Sequence, residues 1–399
     1  MLLCLRVAHV SCLLRTADVG CSAGSGWFRV STAGSLTVGS TFNCSVHAFD
    51  VDIQHGVSVG QTLQISSCVG RNMVLGGANG AATNSLQLDG VELALISAAR
   101  LRMQAQSANL TVLAVTGAQS TLIGRVSLYA SEHLDVEAPA SFPSLDATGV
   151  LGCSVNDSLT TTVGDLNLHG GAYGVNNAGA TRLLSSANTL AVFGPGAASV
   201  VAPAIWQAKG DVVLSAAVHV LGRFDLKVQA DSNADGSGTL LTNGLQVRSS
   251  SVTAVTLTAA DFSIGAAVDA STAALTLDTS GASGSIFTLG ANVAGTCSVD
   301  QTELNDLLTH GVLQLGGNAT SRFVVHGASY SGTASTVNLL ALHSTSSQLV
   351  VDGSASQVTA PLINIEAKAG VNISAALTLN GRTMIDGTRL CCCVCASLT

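Results

Sequence analysis

The chain has 399 residues and a formal net charge of −8, with only 10% of residues charged and 4% aromatic. An ordinary soluble domain has roughly a quarter of its residues charged, and so few aromatic residues exclude a core built from large rings. Hydrophobic residues make up 47% of the sequence, which excludes a disordered chain. Arg100 and Arg102 are the only close pair of arginines, and no apolar run reaches the length of a membrane-spanning helix. We therefore expect neither nucleic-acid binding nor a membrane span.

Residues 1–30 are predicted to be irregular. The stretch begins with apolar residues in the manner of a secretory signal, but Arg6, His9 and Arg15 interrupt the apolar run that such a signal requires. We interpret the segment as a weak signal-like stretch or as the edge of a longer protein.

Residues 31–388 carry short triplets with apolar residues at positions i and i+2. Examples are Leu36-Thr-Val38, Leu86-Gln-Leu88 and Leu275-Thr-Leu277, and the residues between triplets are mostly Gly, Ser, Ala, Thr and Asn. The spacing is the strand period, and one triplet cannot bury its own apolar side, so neighbouring triplets must stack. The sequence therefore predicts an all-β fold, a single-stranded parallel β-helix or β-solenoid. We expect the right-handed coil that parallel strands generally take, with occasional helical turns inserted.

A longer repeat of about 211 residues overlays the triplets. The segment Asp89-Gly-Val-Glu92-Leu93 matches Asp300-Gln-Thr-Glu303-Leu304, and a strand triplet follows each copy. In both copies the apolar spacing changes from two to three and four, which predicts one helical turn before the next strand. The match indicates a degenerate internal duplication.

The run from Asp300 to Gly317 resembles the repeats of filamentous-haemagglutinin-like large exoproteins, an adhesin-type β-helix repeat family. The acidic turn that starts at Gln229 also resembles a recurrent insertion in such chains. The resemblance covers most of residues 60–380. It implies a long, exported β-helix that adheres or forms a stalk, and it carries over no catalytic residue.

Residues 389–399 are predicted to be an irregular, cysteine-rich tail that contains Cys391, Cys392, Cys393 and Cys395. A zinc site needs four ligands, and no second Cys-x-x-Cys pair lies nearby. Lipidated cysteines and an artefactual end of the reading frame are the alternatives. The other cysteines are predicted to be buried thiols, or to form a few amino-terminal bridges if the chain is exported; they are Cys4, Cys12, Cys21, Cys44, Cys68, Cys153 and Cys297.

The most enzyme-like cluster is Asp50, Asp52 and His55. Strand alternation places both aspartates outward, about 7 Å apart, a separation at which two carboxylates can flank a glycosidic bond. Parallel β-helices do host pectin-cleaving enzymes, but the Asn-Thr-Asp, Asp-Asp and Arg-x-Lys parts of their signature are absent. The alternative is a solvated strand face.

Asp231, Asn233 and Asp235 precede Gly236 with oxygen donors at alternate positions, as at the start of a calcium loop. Position twelve is Thr242, so an EF-hand is excluded. A calcium-bound turn and an ordinary polar corner remain as alternatives.

Five N-x-[Ser/Thr] sequons lie beside predicted turns, and they matter only if the chain is eukaryotic and secreted. They are Asn43, Asn109, Asn156, Asn318 and Asn372. Glu303, Asp306 and His310 lie close together on the second helical turn, where we expect a structural role.

The sequence predicts a non-catalytic structural or adhesive solenoid, a piece of a larger extracellular or cell-surface protein. It would act as a stalk or as a binding surface for carbohydrate or for another cell-surface protein, without a bound cofactor; calcium at the acidic turn is the alternative to that expectation. Its coil ends would favour end-to-end or edge association. The alternative is a polysaccharide-active lyase or glycoside hydrolase-like enzyme that uses Asp50, Asp52 and His55.

Overall fold

The fold is known from a computed structural model. It describes residues 27–30, 36–38, 43–48, 50–78, 85–177, 182–201, 204–221, 224–248, 251–281, 285–293, 296–331, 337, 339–344, 349–352, 355–387, 390–392 and 397–398. The described residues form two compact units, Met1–Ala198 and Ser199–Thr399.

The first unit contains 19 described strands and two short helices. The helices are α1 (Gly90–Ala94) and α2 (Gly117–Ser120). The strands are β1 (Trp27–Val30), β2 (Leu36–Val38), β3 (Cys44–Ala48), β4 (Asp50–Ile53), β5 (Val57–Ser67), β6 (Met73–Leu75), β7 (Leu86–Leu88), β8 (Ile96–Ala105), β9 (Leu110–Val112), β10 (Ile123–Ala130), β11 (His133–Val136), β12 (Ala140–Phe142), β13 (Leu145–Gly149), β14 (Gly152–Val155), β15 (Leu159–Thr161), β16 (Leu166–Gly170), β17 (Val175–Asn177), β18 (Arg182–Ser186) and β19 (Leu190–Phe193). Strand β20 (Ala198–Val200) contains the division between the units.

The chain of the first unit visits three parallel sheets in turn. One sheet has the order β2-β5-β8-β10-β13-β16-β19, a second contains β9, β11, β14 and β17, and a third contains β12, β15 and β18. Val126 pairs with Leu145, Leu145 with Leu166 and Leu166 with Leu190, so a coil takes 19 to 24 residues. Strands that return to the same sheet once per coil, always in parallel, define the predicted β-helix.

Apolar ladders fill the interior because every second strand residue points inward. Leu101, Val126, Leu145, Leu166 and Leu190 occupy paired positions on successive strands, and all are fully buried. Burial of a whole aliphatic side chain stabilises by about 1.5–3 kcal/mol. Such ladders replace the large aromatic core that the composition excludes.

Among its described residues, the second unit contains the remaining strands and one helix, α3 (Gln301–Asn305). The strands are β21 (Ala204–Ala208), β22 (Val212–Leu214), β23 (Val218–Val220), β24 (Leu226–Gln229), β25 (Thr239–Thr242), β26 (Leu245–Val247), β27 (Ala254–Ala259), β28 (Asp261–Ile264), β29 (Val268–Asp269), β30 (Ala274–Thr279), β31 (Ile286–Gly290), β32 (Cys297–Asp300), β33 (Leu307–Leu308), β34 (Val312–Leu315), β35 (Arg322–His326), β36 (Ser329–Ser331), β37 (Leu339–Ser344), β38 (Leu349–Asp352), β39 (Ser356–Ala367), β40 (Val371–Ile373), β41 (Leu377–Gly387), β42 (Leu390–Cys392) and β43 (Ser397–Leu398).

The second unit is also built from parallel sheets. Its longest sheet has the order β21-β24-β27-β30-β34-β37-β39-β41-β43, and a sheet that contains β31, β35, β38 and β40 packs phenylalanines in its interior. The rings of Phe287 and Phe323 stack 5.1 Å apart on neighbouring strands, and both side chains are fully buried.

Polar side chains at the corners join one coil to the next. In the first unit Asn109 Oδ1 accepts a hydrogen bond from His133 N at 3.0 Å. In the second unit Asp211 Oδ1 accepts from Thr239 N at 2.8 Å, and Asp225 Oδ1 accepts from Ala254 N at 2.9 Å. Each corner residue thus satisfies a backbone N–H that the parallel ladder leaves unpaired.

Strands extend beyond the predicted solenoid limits of residues 31 and 388. Strand β1 lies inside the segment predicted to be irregular, because Phe28 and Val30 pair with the apolar positions Val51 and Ile53 of β4. Strands β42 and β43 lie inside the predicted cysteine-rich tail and pair with β40 and β41. The ends of the β-stranded region are determined by strand pairing, which the local sequence does not reveal.

Candidate functional site

Asp50 and Asp52 lie on strand β4 with the predicted alternation. Val51 and Ile53 are buried at 4% and 3% exposure, and the two aspartates between them are half-buried. Trp27 and Arg29 of β1 occupy the positions paired with Asp50 and Asp52. The structure therefore confirms that the two carboxylates share the outer side of one strand.

Asp50 is used as a hydrogen-bond acceptor for the backbone. Its Oδ1 accepts from Val51 N at 2.9 Å and from Gln87 N at 3.2 Å, the second bond reaching a strand 37 residues further along the chain. Burial raises the pKa of Asp50, and the two N–H groups and the charge of Arg71 act in the opposite direction. Asp52 accepts from Gln54 Nε2 at 3.2 Å.

Glu92 and Asp89 form a closed capping arrangement at helix α1. Glu92 Oε2 accepts from Asp89 N at 2.9 Å, and Asp89 Oδ1 accepts from Val91 N and Glu92 N at 2.8 Å. The second oxygen of Glu92, Oε1, accepts from Ile53 N at 2.8 Å. The helix cap is therefore also a bond from α1 to strand β4.

The same arrangement recurs in the second unit. Glu303 Oε1 accepts from Ile264 N and Oε2 from Asp300 N, both at 2.9 Å. Asp261 Oδ1 accepts from Phe262 N and from Ser298 N, again at 2.9 Å. Each of these residues lies 211 positions after its counterpart in the first unit.

We call these two arrangements the stations. The first consists of Asp50, Asp89 and Glu92, and the second of Asp261, Asp300 and Glu303. In each, both oxygens of the glutamate and one oxygen of each aspartate accept backbone N–H bonds, so the three carboxylates hold an outer strand, a neighbouring strand and a helical turn together. The duplication predicted from sequence thus extends to individual hydrogen bonds.

Burial changes the acidity of both glutamates. Burial is the largest effect on Glu92 and raises its pKa to about 7, against the opposing effect of the two N–H bonds. Burial likewise raises the pKa of Glu303. With a pKa of about 7, Glu92 changes charge near neutral pH, so the first station responds to pH in this range.

We expect a pH-dependent stability from Glu92. Its folded pKa exceeds the usual value of 4.5, so its contribution to stability is fully present below that value and is lost as the pH rises through about 7. Wild-type protein should gain stability relative to Glu92→Gln as the pH falls from about 8 to about 5. Urea unfolding of both proteins across this range measures the difference, and a constant difference would contradict the expectation.

The third residue of the enzyme hypothesis, His55, is not on the strand that carries the two aspartates. It lies at the bend after β4, and its Nε2 atom is buried without a hydrogen-bond partner among the described residues. On the second helical turn, Asp306 is the C-terminal cap of α3. The backbone N–H of His310 donates to Ser271 O. His310 is exposed, and the carboxylate of Glu303 accepts hydrogen bonds from backbone N–H groups.

The acidic turn is organised around Asp231. This side chain is fully buried, with Oδ1 accepting from Asp235 N at 2.8 Å and Oδ2 from Gly236 N at 2.9 Å. Asn233 Nδ2 donates to Asp235 Oδ2 at 2.7 Å on the exposed side of the turn. The structure thus brings Asn233 and Asp235 together and directs Asp231 to the backbone. Within the described residues, no group of three or more His, Cys, Asp or Glu side chains is placed to hold a metal ion.

The sequon asparagines differ in their surroundings. Asn43 and Asn318 are exposed, and Asn109, Asn156 and Asn372 are half-buried. Asn43 Oδ1 accepts from Thr62 N at 3.1 Å, and Asn156 Nδ2 donates to Glu137 Oε1 at 3.2 Å. Asn109 is also a corner residue, so the side chains of Asn43, Asn109 and Asn156 each have a hydrogen-bond partner in the fold.

The cysteines also divide into groups. Cys44, Cys153 and Cys297 are buried free thiols, and burial raises the pKa of each. Cys68 is paired in a disulfide. Cys391 and Cys392 lie on strand β42, whereas Cys393 and Cys395, like Cys4, Cys12 and Cys21, lie outside the described residues.

A groove of about 480 Å³ lies beside helix α3. It is lined by Gln301, Asn305, Leu307, Leu308, Ser329, Tyr330 and Ser331. The Gln301 amide donates to Ser329 O at 2.6 Å and accepts from Ser329 N at 2.7 Å, so it holds α3 against strand β36. The sequence did not predict this groove, because its walls come from residues 301–308 and 329–331, which share no motif.

No protein-family model, no curated protein and no solved structure matches the chain. In the part of the chain that the structure describes, every helix is too short to cross a membrane, the longest having five residues. Functional inference therefore depends on the residues themselves.

Proposed function

We propose that this chain is a non-catalytic, adhesive β-solenoid that acts as a stalk or binding surface outside the cell. The observation that carries the proposal is that carboxylates at corresponding positions of the two units accept backbone hydrogen bonds. Asp50 and Glu92 accept backbone N–H bonds, and their counterparts Asp261 and Glu303 accept the same bonds in the second unit. Acids that recur in this way, each with a backbone partner, serve to hold coils together.

The composition and the repeat pattern support an adhesive role. The solenoid presents rows of polar side chains on the outside of long parallel sheets, and such extended surfaces are typical of binding proteins. The repeats resemble those of filamentous-haemagglutinin-like exoproteins, and we propose membership of that family on this ground. The expected partner is a carbohydrate or another cell-surface protein, and association of coil ends would lengthen the stalk.

The alternative is a polysaccharide-active enzyme on the same scaffold. The raised pKa values of Asp50 and Glu92 are the observation that favours it, because a general acid in a glycosidase is tuned in this direction. Glu92 is only 8% exposed, however, and both of its oxygens are already occupied.

Prolonged incubation with soluble polysaccharides separates the two functions. We expect binding to at least one polymer or cell surface, with no new reducing ends and no unsaturated products. The control is Asp50→Asn combined with Asp52→Asn, which removes the two outer carboxylates. Depolymerisation by the wild-type chain that disappears in this double variant would contradict the proposal and establish the enzyme.

A further inference from the structure

Three arginines meet on the outer face of the first unit. Arg100 and Arg102 lie on strand β8, and Arg125 of the next strand, β10, is the paired neighbour of Arg100. The sequence separates Arg125 from the other two by more than 20 residues, and one turn of the solenoid brings them together. Arg100 and Arg102 are exposed and Arg125 is half-buried.

Only part of this positive charge is neutralised. Arg125 donates to Asp146 Oδ1 on the following strand, and Asn167 Nδ2 donates to the same oxygen at 2.7 Å. Asp146 is thus already engaged with Arg125, and the charge of Arg100 acts on the same carboxylate. Within the described residues, no ion pair holds Arg100 or Arg102. Two guanidinium groups therefore face solvent side by side in a chain whose net charge is −8.

Hydrogen-bonding side chains and rings continue the face along the same sheet. Gln104, Tyr129, Thr148 and His169 occupy paired positions on four successive strands, and all are half-buried. The ring of His169 stacks on Phe193 of the next strand at 4.7 Å. We call the surface formed by Arg100, Arg102, Arg125 and this row the arginine face.

We propose that the arginine face binds an acidic polysaccharide, a linear polymer of uronate sugars that runs across the strands. The guanidinium fork matches a carboxylate in geometry as well as charge. Amide and hydroxyl groups beside it can bond sugar hydroxyls. Side chains repeat along the sheet at about 4.8 Å, a spacing similar to the length of one pyranose unit.

Nucleic acid fits this surface less well. A protein that binds a phosphate backbone neutralises a series of phosphates with lysines and arginines, whereas the arginine face has three arginines, one of them paired with Asp146. The inference rests on the proposed adhesive function and specifies its ligand.

The test is binding of the full chain to polygalacturonate, measured by calorimetry at physiological ionic strength. We expect binding that weakens at least tenfold in the variant Arg100→Ala with Arg102→Ala, which removes exposed side chains and should leave the melting temperature unchanged. Fully methyl-esterified polygalacturonate, which keeps the sugar chain but lacks the charge, should bind at least tenfold more weakly. Arg322→Ala removes an exposed arginine of the second unit and should bind like wild type.

Three results would overturn the inference. These are absence of binding to polygalacturonate, equal binding by the double arginine variant, and equally tight binding of duplex DNA at the same ionic strength. Binding of a neutral polysaccharide or of cells, without polygalacturonate binding, would overturn this inference and leave the adhesive function standing. Cleavage of polygalacturonate would instead overturn the adhesive function.

Discussion

Alanine in place of Gly171 is expected to lower the free energy of unfolding by at least about 3 kcal/mol. A Cβ atom at this position would lie 1.6 Å from Val150 O and 2.4 Å from Val150 C. Both atoms belong to the backbone of the adjacent coil, where Gly171 N donates to Gly149 O at 2.9 Å. The backbone cannot withdraw without breaking the ladder, so the loss exceeds that of an ordinary overpacked side chain.

Gly117→Ala is the matched control. Its Cβ would meet Ser141 Oγ at 3.4 Å, an ordinary contact, and the residue lies in helix α2, where alanine is favoured over glycine. Urea unfolding followed by circular dichroism should give this variant the stability of wild type or slightly more. Equal stability of the two alanine variants would contradict the close packing of the coils at Gly171.

Glu92→Ala is expected to cost about 2–4 kcal/mol, and Glu303→Ala a similar amount. Each substitution removes the acceptor of two backbone N–H groups, one at the helix cap and one on the outer strand, and a buried donor without a partner is costly. Glutamine at either position should give an intermediate loss, because it keeps one acceptor oxygen and presents an N–H to the other donor.

Glu132→Ala provides the reference for these two variants. Glu132 is exposed, and its replacement should change stability by less than about 0.5 kcal/mol. Because long repeat arrays need not unfold in one step, a local probe in each unit should accompany the global transition. If either glutamate variant were as stable as Glu132→Ala, the corresponding station would contribute nothing to the fold.

Much of the fold could be predicted from local pattern. The apolar triplets give the inward side of most strands, and the Asp-x-x-Glu spacing gives helices α1 and α3 together with their caps. A related signal, Thr116-x-x-Gln119, begins at the residue before α2 and would have identified this helix, since Gln119 Oε1 accepts from Thr116 N at 2.8 Å.

Contacts between coils could not be predicted, because the length of a coil varies. The second oxygen of Glu92 bonds Ile53, 39 residues earlier, and Arg125 is brought beside Arg100 only by the register of β8 and β10. Because Arg125 is far from Arg100 and Arg102 in the sequence, the arginine face could not be recognised from the sequence alone. The role of Asp50 was hidden for the same reason, since Gln87 N, which it accepts from, lies on another strand 37 residues away.

Backbone amide hydrogen exchange at Ile53 and Ile264 tests most directly whether the station carboxylates hold coils together. In the wild-type chain both amides should be protected. Glu92→Ala should accelerate exchange at Ile53 at least tenfold and leave Ile264 unchanged, and Glu303→Ala should do the reverse. Exchange at Ile53 and Ile264 that is indifferent to both substitutions would contradict the account and leave these acids available for another role.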